Sequence, residues 1–117
     1  MELQEIKVSD VLILQPEGHM DTVAAVPTEE RVLKLIEGGE RQILMDCAKL
    51  QYVNSSGLKV FLVAAKRLDA VGGKLIVCEL VPNVMMVFKM IGFTKILSIF
   101  PTRAEALESF QQKSSKV

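Results

Sequence analysis

The stretch Asp46-Cys47-Ala48-Lys49-Leu50-Gln51-Tyr52-Val53-Asn54-Ser55-Ser56-Gly57-Leu58 decides the fold. The run Gln42 to Cys47 reads as a buried strand, a short loop follows it, and three small polar residues introduce a helix. From Leu58 the spacing is helical: Leu58, Phe61, Leu62, Ala65 and Leu68 share one face at about 100° per residue and predict a core-facing stripe. Gly72-Gly73 stops that helix, and Lys74 to Cys78 reads as another buried strand because Leu75-Ile76-Val77 is continuous and β-rich.

The same reading extends in both directions. Toward the C-terminus, Pro82 suits the first turn of a helix whose stripe is Val84, Val87, Phe88 and Ile91, ending at Gly92. Met85, Met86 and Met90 read as core and surface filler of that helix. Lys95 to Phe100 reads as a short strand, and Pro101-Thr102 open a last helix with Ala104, Leu107 and Phe110 inward. Toward the N-terminus, Ile6 and Val8 alternate with polar residues and Val11 to Leu14 is fully apolar, an edge strand turning into a central one. Pro16 to Val26 carries turn chemistry, with His19 as a loop histidine, and a helix is expected over Pro27 to Glu37, stopped by Gly38-Gly39. Strands separated by helices require crossovers. The expectation is therefore an α/β domain with a mixed, mainly parallel sheet of about five strands and about four helices. It should span residues 1–112, with a flexible polar tail over 113–117.

Composition narrows the function. Of the 117 residues 50% are apolar, and 14 Lys+Arg balance 14 Asp+Glu, so the net charge is zero. That fills a core without staples and removes the broad attraction that direct nucleic-acid or anionic-lipid binding needs. The longest apolar runs are far short of a membrane-spanning helix, and the acidic start does not resemble a signal peptide, so a cytoplasmic protein without membrane insertion is expected. Cys47 and Cys78 lack metal-ligand spacing and the single histidine, His19, has no nucleophile or orienter around it. No metal, cofactor or catalytic residue is expected. The chain also lacks a GxxxxGK[ST] loop for a nucleotide hydrolase, and Asp46, although it ends a strand as a receiver phosphoacceptor would, has only Gln15 and Glu17 near the end of the preceding strand.

The candidate site lies at Asn54 to Leu58. Asn54 or Ser55 caps the helix by accepting from free backbone N–H groups. One cap satisfies that need, so Ser56, beside the small Gly57, is an extra hydroxyl open to phosphorylation. A phosphate there adds about −1.5 to −2 charges, which a helix N-terminus accommodates without unfolding. On the face opposite the stripe, Lys59, Val63, Lys66 and Ala70, bordered by Val60 and Arg67, form a mixed apolar and basic patch suited to a transient interface.

Here the chain resembles the STAS domains, and among them the stand-alone bacterial anti-sigma factor antagonists. The resemblance is carried by Gly18-His19-Met20-Asp21, Ile43-Leu44-Met45-Asp46, Tyr52 to Leu58 and Gly72-Gly73-Lys74-Leu75, in matching order over nearly the whole chain. It implies that Ser56 is phosphorylated by a partner that is both serine-protein kinase and anti-sigma factor. The unmodified form would bind that partner and free sigma, phosphorylation would end the complex, and a serine phosphatase would reset it. It also implies that Asp21 lies near the phosphoacceptor; together with the helix face read above from periodicity, the expected partner surface is Asp21, Asn54, Ser55, Ser56, Gly57, Leu58, Lys59, Val60, Val63 and Lys66. Family members often carry aspartate where Asn54 stands and a small residue where Lys59 stands. The alternative within the same fold is a scaffold subunit of a lipid transporter or signalling assembly in which Ser56 is not phosphorylated.

Overall fold

The chain begins as a hairpin: β1 (Glu2–Val8) and β2 (Val11–Met20) pair antiparallel, and Ser9 takes a φ of 53° in the tight turn between Val8 and its partner Val11. The computed structural model describes residues 1–114. β2 then serves two parallel neighbours in succession. Leu12 to Leu14 pair with β3 (Gln42–Asp46), and Gly18 to Met20 pair with β4 (Leu50–Val53) across a register shift at Gly18/His19, where Gly18 adopts φ 97°. Pro16 falls between these two pairings, where neither neighbour needs the N–H that proline lacks. β3 pairs in turn with β5 (Lys74–Cys78), and β5 with β6 (Ser98–Phe100), both parallel, giving the order β1-β2-β3-β5-β6 with β4 beside the far end of β2. The sheet is thus mixed and mostly parallel, as expected, with six strands because β4 joins it.

The first helix corrects the sequence reading. Pro16 to Met20 belong to β2, so His19 is a strand residue, stacked edge-on against Tyr52 at 5.7 Å. α1 (Thr22–Glu37) starts five residues earlier than expected and carries Pro27 in its interior. The early start follows from the Asp21 cap and from the buried positions Ala25, Thr28, Val32 and Ile36, which continue one face through the proline. Pro27 is tolerated because the carbonyl it leaves without a partner belongs to Val23, on the solvent side of the helix. α2 (Ser55–Ala70) and α3 (Pro82–Met90) lie where the periodicity placed them. The strand expected over Lys95 to Phe100 is shorter: a single helical turn, α4 (Phe93–Ile96), precedes β6 and seats Phe93 against Phe88.

Alternation along the strands divides the core between two faces. Leu12, Leu14, Ile43, Met45, Leu75 and Val77 pack with Val32, Ile36, Phe61, Leu68 and Phe88 from the helices of one layer. Phe88 takes edge-to-face contacts from Phe61 at 5.2 Å and from Phe93 at 5.6 Å. Val11, Ile13, Leu44 and Ile76 face the other way and are covered by α5 (Arg103–Ser114) through Ala106 and Phe110. Ala104, expected inward, is exposed; the buried face of α5 is set by Ala106 and Phe110. The helix runs to Ser114, so the residues from Gln111 to Ser114 are helical rather than frayed, and the last three residues of the expected tail lie outside the described residues.

Candidate functional site

Two strands end together and two helices start beside each other. β2 ends at Met20, and Asp21 caps α1 by accepting from the Ala24 N–H at 3.0 Å. β4 ends at Val53, and Asn54 caps α2 by accepting from the Gly57 N–H at 3.1 Å, while its own N–H donates to the Met20 carbonyl at 3.3 Å. Gly57 is what permits this approach. A Cβ there would collide with the Met20 carbonyl oxygen and with Val53 Cγ2, so the glycine is packed beneath the site and is not the open surface position the sequence suggested.

Ser55 and Ser56 are therefore the first two residues of α2, the first exposed and the second half-buried. Ser56 Oγ lies 3.2 Å from Thr22 Oγ1, and Thr22 Oγ1 accepts from Asn54 Nδ2 at 3.2 Å. A shallow cavity of about 260 Å³ opens over this contact, lined by Thr22, Ala25, Val26, Glu29, Glu30, Ser56 and Lys59. Glu29 and Glu30, two turns into α1, stand on its wall. The arrangement offers a neutral hydroxyl at the positive end of a helix, with two carboxylates and one ammonium around it. The only polar side chain within hydrogen-bond distance of the hydroxyl among those described is Thr22.

The structure brings Asp21, Asn54, Ser55, Ser56 and Lys59 to one corner. Asp21 is there as a cap, holding the helix start that carries Thr22. Leu58 and Val60 belong to the core; Val60 is 1% exposed, so the expectation that it borders the partner surface is corrected. Its direction follows from the helix being buried over a wider arc than the predicted stripe, through Leu58, Val60, Phe61, Ala64 and Leu68. Val63 is half-buried, and Lys66 lines a different groove with Leu62, Asp69 and Ile96, beyond Ser56 by roughly 15 Å of helix. Two exposed residues of α1 were missed in the sequence: Val26, 59% exposed, lines the cavity over Ser56, and Val23, 83% exposed, lines the neighbouring groove with Asp21. Placing α1 too late hid them, although an aspartate followed by spaced apolar residues is itself a helix-start signal.

Elsewhere the polar chemistry is structural. Asp46, 3% exposed, accepts from Arg103 Nε at 2.7 Å and from the Ala48 N–H at 3.0 Å, and Glu79 accepts from the Arg103 N–H at 2.8 Å. Cys47 and Cys78 are free and buried; burial pushes both thiols up, Cys47 far and Cys78 to about 12, with Asp46 adding to each, which makes them unreactive. A groove of about 890 Å³ runs between the hairpin and α1, and Ser56 is not among its lining residues. Among the described residues there is no cluster of ligands able to hold a metal ion and no helix long and apolar enough to cross a membrane.

Residues 3–106 match the model of the STAS domain, and the chain belongs to that family. It is 34% identical over 111 residues to BtrV of Bordetella bronchiseptica, named a candidate anti-sigma factor antagonist, covering 95% of this chain and 96% of BtrV. Its fold is similar to that of a candidate anti-sigma factor antagonist from Thermotoga maritima, with a TM-score of 0.88, 22% identity and 92% of each chain covered. It is also similar to the Bacillus cell fate determinant SpoIIAA in its phosphorylated form, with a TM-score of 0.73, 22% identity, and 93% of this chain and 99% of that one covered.

Proposed function

We propose that this chain is an anti-sigma factor antagonist: it binds an anti-sigma factor that is also a serine kinase, and phosphorylation at Ser56 ends the complex and thereby controls sigma-dependent transcription. The observation that carries the reading is the half-buried Ser56 hydroxyl at the start of α2, framed by exposed Val26 and Lys59. The chain carries out no chemistry of its own. A partner seats on the apolar and small groups of this corner while the hydroxyl is neutral. A phosphate adds about −1.5 to −2 charges beside Glu29 and Glu30, with Lys59 the single cation among the cavity's lining residues. The positive end of α2 keeps the modified domain folded, and the cost falls on the interface, where desolvating and opposing that charge amounts to a few kcal/mol. That lowers affinity about a hundredfold, enough to dissolve a micromolar complex. A serine phosphatase acting on phospho-Ser56 resets the cycle.

The test is a paired pull-down from the native lysate with Ser56→Ala and Ser56→Glu as baits. The reading expects a serine-kinase-like protein held by the alanine bait and lost from the glutamate bait. If both baits hold the same transporter or scaffold proteins, Ser56 is only a helix-start residue and the chain acts as a scaffold.

A further inference from the structure

Thr22 stands outside every role assigned above. It is the first residue of α1 and lies 34 positions before Ser56, yet their hydroxyl oxygens are 3.2 Å apart. Asn54 ties this contact to the cap of α2. Its Oδ1 is held by the Gly57 N–H at 3.1 Å, which turns Nδ2 toward Thr22 Oγ1 at 3.2 Å. An amide nitrogen only donates, so Thr22 Oγ1 accepts there with one lone pair; between the two hydroxyls either oxygen can donate, and the direction that leaves the Ser56 O–H free is the one with Thr22 as donor. We infer that Thr22 is a positioning residue for the modification of Ser56: by donating to Ser56 Oγ it holds the serine in one rotamer, with the serine's own O–H turned outward. The inference rests on the reading of Ser56 as phosphoacceptor.

The consequence for phosphoryl transfer is geometric. The attacking group is Ser56 Oγ; its bond to the γ-phosphorus of ATP forms as the bond from that phosphorus to the β,γ-bridging oxygen breaks, ADP leaves, and the serine proton passes to a base of the kinase. A hydroxyl that already accepts from Thr22 offers its proton and its remaining lone pair to the incoming enzyme, which shortens the search for a reactive orientation. The same chain of donors gives asparagine a purpose at position 54. Aspartate would keep the cap on Gly57 but has no N–H, and the Thr22 O–H would turn to the carboxylate and away from Ser56.

Thr22→Val, Thr22→Ser and Asn54→Asp in the full chain test this. The Hα–Hβ couplings of Ser56, read by NMR, should report one rotamer in the wild type and in Thr22→Ser, and an average in Thr22→Val and Asn54→Asp. With ATP and the kinase retained by the Ser56→Ala bait, kcat for Thr22→Val should fall about fivefold, the scale of one neutral hydrogen bond, with KM unchanged. Thr22→Ser should restore it, which a loss of α1 packing would not explain. Unchanged couplings in Thr22→Val overturn the inference, and so do averaged couplings with an unchanged kcat. A wild-type chain that takes no phosphate at Ser56 instead overturns the reading beneath it, whatever the couplings show.

Discussion

Two polar clusters occupy the C-terminal edge of the same sheet and differ in every property that governs availability. At the ends of β3 and β5, Asp46, Glu79 and Arg103 are joined by charge-assisted bonds of 2.7 and 2.8 Å, with Asp46 all but sealed from solvent. At the ends of β2 and β4, Thr22, Asn54 and Ser56 are joined by neutral bonds of 3.2 Å at the surface. The first cluster ties α5 to the strand ends, and an unpaired charge left there is expensive. The second can lose or gain a group while the sheet beneath it stays whole. Both look alike in the sequence, as polar residues after apolar strands; their neighbours decide which one is a fastening and which one is a surface.

The sharpest way to break this contrast is Asp46→Ala. It should cost about 3 kcal/mol in a urea titration, the low end for a broken buried pair because Arg103 is partly solvated, whereas Ser56→Ala should stay within about 0.5 kcal/mol of the wild type. Equal losses for the two would end the distinction. Gly57→Ala comes next: the added methyl meets the Met20 carbonyl, and the expected loss is about 2 kcal/mol together with weaker partner binding as the start of α2 is displaced. Asn54→Ala should cost about 1 kcal/mol, one helix cap, and Asn54→Asp should recover most of it in the same titration.

The smallest effect is electrostatic and lies at the hairpin. The hydrogen bonds from the Arg31 guanidinium hold the Glu5 carboxyl below its usual value of 4.5. A depressed carboxyl stabilises the fold above the unfolded value and loses that contribution as pH falls through the folded one. The wild type should therefore lose slightly more stability than Arg31→Ala as pH drops below about 4.5, a difference that 1 M salt should narrow. Identical acid profiles would show that the exposed pair contributes nothing.

The elements legible in the sequence were those in which apolar period and stop signals agreed. The stripe from Leu58 to Leu68 and the runs Gln42 to Cys47 and Lys74 to Cys78 fall where the structure has α2, β3 and β5. Legibility failed at Pro16 and Gly18, which read locally as turn residues. They are tolerated in β2 because the strand changes neighbours there, a tertiary fact that no window of sequence contains. That one misreading moved the start of α1 and hid Thr22 and Val26, the part of the corner contributed from a distance. β4 was missed for a different reason: with four residues, the middle two exposed, it has no alternation to detect. Asn54, Ser55, Ser56 and Lys59 were found because they sit on one helix start, within reach of a local rule.

The placement of α5 has a practical side. It covers the face of the sheet opposite the layer built by α1 and α2, whereas Met1 and Glu2 line the groove shared with Asp21 and Val23. An affinity handle joined ahead of Met1 would emerge beside the corner proposed to receive the partner, and would crowd the very binding it was added to recover. Joined beyond α5 it would emerge from the far side, so the two pull-down baits are best immobilised from that end.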